Sequence, residues 1–396
     1  MLMCLWLSRT IPFPVTSGDR KYSTKLAGAL AATGVAITFA GLGGNTRPEP
    51  MDNIEWYPVA GTKRGRIVSL MSMLPLDAAR HSTPQYRAEL RRLICSRAWD
   101  IIIIDSYGMS WVVPHVRLAH KGSRALVFVA HNHEESLTRQ QWQETQTGVW
   151  QRLYLLQNYL KTRRIEHLTS RACDLITVHT EADAALFRRT APSTTMVIIT
   201  PGYDGPRVSK RQITTSTSRA AVMFGSWRWS VKQANLRLFL DYADARMHAA
   251  GIEMRIVGDI AASVRLKLEQ QYVSARFTGF VQDLAPHFDV RLAIVAEPIG
   301  GGFKNKLLDF IFHRVPILAL ESCVVGLPAS VQRHVLTAPD FSALIYHVET
   351  VIDDVGQLDL LQQGAFKAAE REFDWVERGR IMRAAVMGIS TFEEVL

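Results

Sequence analysis

Cysteine is scarce. Cys4, Cys95, Cys173 and Cys323 lie far apart and form no Cys-x-x-Cys or Cys/His ligand spacing. They give no disulfide framework and no zinc-finger pattern, and read as reduced core thiols of a cytosolic protein. Convincing membrane segments are also missing. The N-terminal "MLMCLWLSRTIPFP" has no basic residues ahead of its apolar run and no small-residue cleavage site after it, so it reads as a buried first strand. Residues 26–44, "LAGALAATGVAITFAGLGG", reach the length of a span, but they are rich in alanine and glycine and Gly34 interrupts them. Helix, glycine stop and strand is the expected parse. No Gly-Lys-Ser/Thr phosphate loop and no GxGxxG between strand and helix occur. Acidic residues are the minority, 37 against 46 lysines and arginines, for a formal charge of +9. That balance suits phosphate-bearing ligands, an anionic membrane surface or a plain solvated surface. No nucleic-acid motif is recognisable, so nucleic acid is not an expected partner.

What is present points to packed α/β domains. Apolar residues make up 47% of the 396, and a chain of this length usually divides into two cores. Short apolar runs at 1–7, 35–39, 101–104, 125–130, 175–178 and 196–199 alternate with longer amphipathic stretches, the pattern of βα units around a parallel sheet. "DIIIID", 100–105, has no polar alternation and is expected as a central strand buried on both faces. The polar, aperiodic "YDGPRVSKRQITTSTSR", 203–219, reads as a linker. A second strand series follows it at 220–224, 254–257, 276–280, 292–295 and 316–320. Two doubly wound domains facing across a cleft are the simplest arrangement, with ligands outside the carboxyl ends of the strands. The tail from residue 343 is helical by period, with 373–390 amphipathic and placed to cross back onto the first domain.

One stretch carries the chemistry. In "EPIGGGFKNKLLDFIFHRVPILAL", 297–320, a strand runs into Gly300, Gly301 and Gly302, and helical spacing begins at Phe303. Bare glycine backbone lets a phosphate approach closely. Lys304 and Lys306 in the first helical turns oppose the helix dipole by a few tenths of a kcal/mol, unless an anion neutralises both. A flexible turn with two solvated lysines has the same pattern.

This stretch resembles the nucleotide-sugar motif of GT-B glycosyltransferases of the family 4 type. "AVMFGSWRWSVKQANLRLFL", "MRIVGD" and "RFTGFVQDLAPHF" are similar to the opening elements of that family's donor domain. "LSRTIPFPVTSGDRKYSTKLAGALAATG", "VFVAHNHEE", "CDLITVHTEADAALF" and "IITPGYD" are similar to successive parts of its first domain. The resemblance implies an α/β GT-B fold of two Rossmann-like domains. Residues 1–204 would be the acceptor domain, 205–218 the linker, 219–375 the nucleotide-sugar donor domain and 376–396 a helix returning to the first domain. It implies a glycosyltransferase, metal-independent and retaining, using a UDP-sugar or GDP-sugar with no further cofactor. Its acceptor would be a glycan or a lipid-linked intermediate of polysaccharide or glycolipid assembly.

Residue by residue, the resemblance places Gly18, 300–302 and Phe303 at the donor. Lys232, Lys304 and Lys306 would neutralise its diphosphate, with Lys232, Lys306 and His131 as catalytic candidates. Asp309 falls where a glutamate would hold the ribose, and Gly301 falls where relatives often carry a sugar-contacting glutamate. Asn132 and Glu134 belong on the acceptor side with His131, which otherwise reads as a histidine capping a helix. Gly18 lies on the loop after the first strand, beside Arg20 and Lys21, which fit ordinary surface cations equally well. Trp227 and Trp229 are either exposed stacking rings or core. The long helical stretch 150–171 has a basic face, so a peripheral contact with the inner face of the membrane is an expectation beside a cytoplasmic location. Two other readings stay open: a nucleotide-sugar 2-epimerase of the same fold, and a non-catalytic binding subunit.

Overall fold

The computed structural model describes residues 1–15, 17–43, 48–119, 125–144, 148–228 and 230–393. The chain divides into two compact units, Met1–Gly202 with Asp374–Leu396, and Tyr203–Phe373.

The first unit holds seven parallel strands: β1 (Leu2–Thr10), β2 (Val35–Leu42), β3 (Ile54–Val59), β4 (Ile101–Asp105), β5 (Ala125–Val129), β6 (Leu175–Val178) and β7 (Thr195–Ile198), in the order β3-β2-β1-β4-β5-β6-β7. All five residues of β4 are buried. It pairs with β1 on one side and β5 on the other, so the uninterrupted isoleucine run does mark a central strand. The helix Gly18–Ala31 ends ahead of Gly34 and gives way to β2, the parse expected for residues 26–44. Among the described residues no helix is long and apolar enough to cross a membrane. The C-terminal helix Trp375–Glu393 belongs to this unit and lies on Gly18–Ala31. At Gly379 a Cβ would come within 2.1 Å of the Ala29 carbonyl oxygen, so the two helices approach closely only because glycine stands there.

The second unit holds six parallel strands: β8 (Ala220–Phe224), β9 (Glu253–Val257), β10 (Ala275–Gly279), β11 (Leu292–Val295), β12 (Ile317–Leu320) and β13 (Leu336–Ala338), in the order β10-β9-β8-β11-β12-β13.

Several expectations need correction. The 1–7 run continues as strand to Thr10, and β3 and β13, half-exposed or very short, give too little apolar signal to be found. Residues 205–218 do not hang free. Ile213 is buried, the Arg207 guanidinium lies 4.1 Å from the Phe312 ring, and Arg211 Nη2 donates to the Val290 carbonyl at 2.7 Å. Cys95 is exposed, whereas the other three cysteines are buried. Gly18 is the first residue of a helix rather than part of the preceding loop. Trp227 is core, and Trp229 lies outside the described residues.

Candidate active site

In each sheet the strand order reverses at one place, β1/β4 in the first unit and β8/β11 in the second. Loops leaving the carboxyl ends of such a pair diverge and open a crevice.

At β8/β11 the crevice is cationic. Glu297, two residues beyond β11, is buried with its Oε1 2.5 Å from Lys306 Nζ and its Oε2 3.9 Å from Lys304 Nζ. Burial alone pushes this carboxyl up, but Lys306, Lys304 and Lys232 together hold it down at about 2. Burial also lowers Lys232, with Lys306 and Lys304 adding to the effect and Glu297 opposing it. Lys306 Nζ sits 5.4 Å from the Trp227 ring and 5.9 Å from Phe224, so the buried tryptophan floors the lysine through a cation–π contact. The buried Asn235, on the helix Ser230–Ala249, anchors the loop: its Nδ2 donates to the Ile299 carbonyl at 2.7 Å and its Oδ1 accepts from the Ile299 N–H at 3.0 Å.

The helix begins at Lys306, three residues later than its spacing suggests, and spans seven residues, Lys306–Phe312. The anion-attracting feature is therefore the lysine trio rather than a helix end. The misplaced cation foreseen from the helix dipole is answered by Glu297. Gly300 and Gly302 hold φ of +128° and +70°, so side chains are strained there, but Gly301 does not, and a Cβ at Gly301 meets nothing within 4 Å. Phe303 is buried with its ring 6.2 Å from Phe373, a packing role. Asp309 is engaged by a side-chain hydrogen bond with Tyr203, whose hydroxyl is pushed up first by burial and then by that carboxylate.

At β1/β4 the crevice holds a histidine and carboxylates. Asp105, the last residue of β4, is buried, with Oδ1 2.7 Å from His131 Nε2 and Oδ2 accepting from Trp6 Nε1 at 3.0 Å. Burial pushes Asp105 up, but the hydrogen bonds and charge of His131, with Trp6 and Ser23, bring it below the usual carboxylate range. A carboxylate on one ring nitrogen fixes the orientation and tautomer of the imidazole. Tyr22 and His179 meet the His131 ring edge-on at 5.5 and 5.9 Å, and burial, with the charge of His131, pulls His179 down to about 3. His131, Asp105, Asp19 and Arg20 help line a pit of about 20 Å³. Arg9 bridges Asp19 and Asp77 at 2.5 and 2.6 Å. Asn132 Nδ2 donates to Glu134 Oε1 at 3.1 Å, and burial raises the Glu134 carboxyl.

The structure thus brings Lys232, Lys304 and Lys306 together, and sets His131 and Asn132 on the loop after β5 at the other switch point, with Glu134 opening the helix that follows. Sequence reasoning missed Glu297, Asn235, Asp105 and Arg9. Glu297 and Asp105 each end or closely follow an apolar strand run, but that position alone does not single them out.

Comparison with known proteins supplies the family. The family model for Glycosyltransferase Family 4 matches residues 17–205, and that for Glycosyl transferases group 1 matches residues 218–354. No curated protein matches the chain by sequence. Among solved structures, sucrose-phosphate synthase from Thermosynechococcus elongatus is similar with a TM-score of 0.72 at 15% identity, over 98% of this chain and 99% of that one. WaaG, a glycosyltransferase involved in lipopolysaccharide biosynthesis, gives 0.65 at 14% identity over 98% and 100%. Anabaena HepE in complex with UDP and glucose gives 0.63 at 12% identity over 98% and 100%. With its first half matching one of the family's models and its second half the other, the chain belongs to the family 4-like, group 1 glycosyltransferases, enzymes of GT-B fold.

Proposed function

We propose that this enzyme moves a sugar from a uridine or guanosine diphosphate sugar to a glycan or lipid-linked acceptor, without a divalent metal in the transfer and with retention at the anomeric carbon. The observation that carries the donor half is the trio of lysines around one buried carboxylate at the β8/β11 switch point. When the bond from the sugar carbon to the diphosphate oxygen breaks, negative charge grows on the leaving diphosphate. Cations fixed in place beforehand stabilise that charge without reorganising. Glu297 holds Lys306 in position, and the surplus positive charge is left for the ligand. The glycine loop, cinched by Asn235, lies against the phosphates, and Asp309 accepts from the ribose hydroxyls. HepE, of the same fold, has been solved with UDP, which supports the same ligand class. His131, oriented by Asp105, serves the acceptor together with Asn132 and Glu134, either binding it or taking up its proton.

A thermal-shift panel of nucleoside diphosphates tests the donor site. Stabilisation by UDP or GDP above the other nucleotides is expected, and no stabilisation by any of them would sink the reading. Isomerisation of the sugar nucleotide with no acceptor present would replace the transferase with the epimerase.

The lipid-linked acceptor and the peripheral membrane contact rest on a different surface. Val149, Trp150, Leu153, Leu160 and Leu168 of the helix Val149–Ala172 are exposed, as are Ile67, Val68, Met71 and Met73. Lys161 Nζ donates to the Leu70 carbonyl at 3.0 Å, which joins the two groups. A groove of about 460 Å³ beside them has Leu74, Trp111 and Ile165 on its walls, with Arg87, Arg117 and Arg164 among its cations. Apolar side chains among cations suit an anionic lipid surface. Sedimentation with anionic vesicles but not with neutral ones is expected, and equal recovery in the supernatant with both would remove the membrane from the proposal.

A further inference from the structure

Two residues past His131, a second cluster lies outside the donor and acceptor chemistry. His133, Glu135 and Glu166 each offer a ligand atom, and the three atoms lie within 4.8 Å of one another. His133 and Glu166 are buried. The Glu166 carboxylate accepts from the Glu134 N–H at 2.9 Å and the Glu135 N–H at 2.8 Å, so both its oxygens are held at the start of the helix Glu134–Glu144. His167 Nε2 is 2.5 Å from Glu135 Oε2, and Arg163 Nε is 3.4 Å from Glu135 Oε1.

This arrangement also serves as a helix cap, in which His133 Nδ1 accepts from the Ser136 N–H at 3.3 Å, but a cap does not explain the other nitrogen of His133. Its Nε2 is buried without a hydrogen-bond partner, an expensive state for a polar atom, and Glu166 Oε2 lies 3.9 Å away. The other nitrogen, Nδ1, is 2.7 Å from Ser136 Oγ and 3.3 Å from the Ser136 N–H. In the other tautomer Nδ1–H gives up the Ser136 N–H and donates to that hydroxyl, and the Nε2 lone pair then faces the two carboxylates. Metal-ligating histidines are typically held this way, the far nitrogen bonded to an outer partner.

We propose that His133 Nε2, Glu135 and Glu166 bind a divalent transition-metal ion of the zinc class. One imidazole and two carboxylates suit zinc, whose bonds of about 2.0–2.2 Å place neighbouring ligands roughly 3.4 Å apart. Glu135, less buried than the other two, closes the remaining distance, with His167 behind it as its outer partner. The ion is structural. It ties the helix Glu134–Glu144 to the helix Val149–Ala172 and so stiffens the loop that carries His131 and Asn132, taking no part in group transfer.

The test uses the full chain, stripped with chelator, dialysed and titrated with Zn²⁺. Bound metal is measured by elemental analysis, melting temperature by calorimetry, and Co²⁺ serves as a spectroscopic probe. Wild type should hold one equivalent, melt higher with zinc, and give visible Co²⁺ bands of a low-coordinate nitrogen and oxygen site. Glu135→Gln, a mild change at a partly buried position, and His133→Ala should weaken binding on the order of 10- to 100-fold or more while keeping the far-UV spectrum of the apo chain. Failure of wild type to retain or be stabilised by Zn²⁺ would overturn the proposal. So would equal stoichiometry and affinity in both variants, which would assign the metal to other surface groups such as the exposed Cys95.

Discussion

The two switch points have the same topology and opposite electrostatics. At β8/β11 three lysines surround one glutamate, and all four side chains act on one another. At β1/β4 a histidine, an arginine and three aspartates satisfy each other almost completely, with His131 on Asp105 and Arg9 on Asp19 and Asp77. Sheet topology therefore supplies two crevices, and the residues on the loops decide what each can do. A surplus of fixed positive charge suits a group that gains negative charge. A histidine held by a carboxylate suits a hydroxyl that must lose a proton.

If that division holds, changes on the two sides should fail differently. His131→Ala is expected to lower the transfer rate roughly 10²–10⁴-fold, the range for a positioned acid–base group, while the melting-temperature shift caused by UDP or GDP stays at its wild-type size. A lost nucleotide shift in this variant would erase the distinction between the crevices. Lys306→Met keeps the aliphatic stem, and should cost about 10²–10³-fold in rate together with the nucleotide shift. It should also destabilise the apo protein by about 3 kcal/mol, because the buried Glu297 loses its bonded cation. Adding Glu297→Gln to it should restore much of the stability and none of the nucleotide binding, which separates the structural role of the pair from its role at the ligand.

The same contrast explains how much could be read in advance. The strands most visible in sequence were the buried ones, such as β4, whose isoleucines need no partner beyond hydrophobic contact to announce themselves. Lys304 and Lys306 were legible because charge beside glycine breaks a local preference. Glu297 was not, since a lone glutamate after a strand gains meaning only when folding brings Lys232 from 65 positions away in the chain. Asp105 was hidden for the same reason: its partners come from elsewhere in the chain, Trp6 from β1 and His131 from the loop after β5. Trp227, read as an open choice between stacking ring and core, is decided by the depth of β8, which no local pattern encodes.

Acidity sharpens the comparison further. Glu297 titrates at about 2 in the fold against an ordinary value of 4.5. A depressed carboxylate contributes its stability in full above the ordinary value and loses it as pH falls toward the folded one, here roughly 3 kcal/mol across that window. Urea midpoints of wild type and Glu297→Gln should therefore differ most at pH 6 and converge as the pH is lowered from about 4.5 toward 2. A gap that does not change with pH would mean that the lysines do not hold Glu297 ionised.

The smallest expected effect on stability belongs to Gly301. Its backbone is outside the region that favours glycine, it is exposed, and a Cβ there would meet open space. Gly301→Glu should therefore change the stability by no more than about 0.5 kcal/mol, as for ordinary surface positions. Its effect should appear in catalysis instead. The new carboxylate would enter the crevice beside Lys304, whose Nζ already donates to the Gly301 carbonyl at 3.1 Å, and would offer an acceptor to the hydroxyls of the donor sugar. A changed preference among sugars on the same nucleotide, measured as the ratio of kcat/KM values, would show that the bare glycine leaves the sugar pocket open at this point. An unchanged ratio, with stability also unchanged, would mean that the donor sugar does not reach residue 301, and the position assigned to the sugar along this loop would have to move.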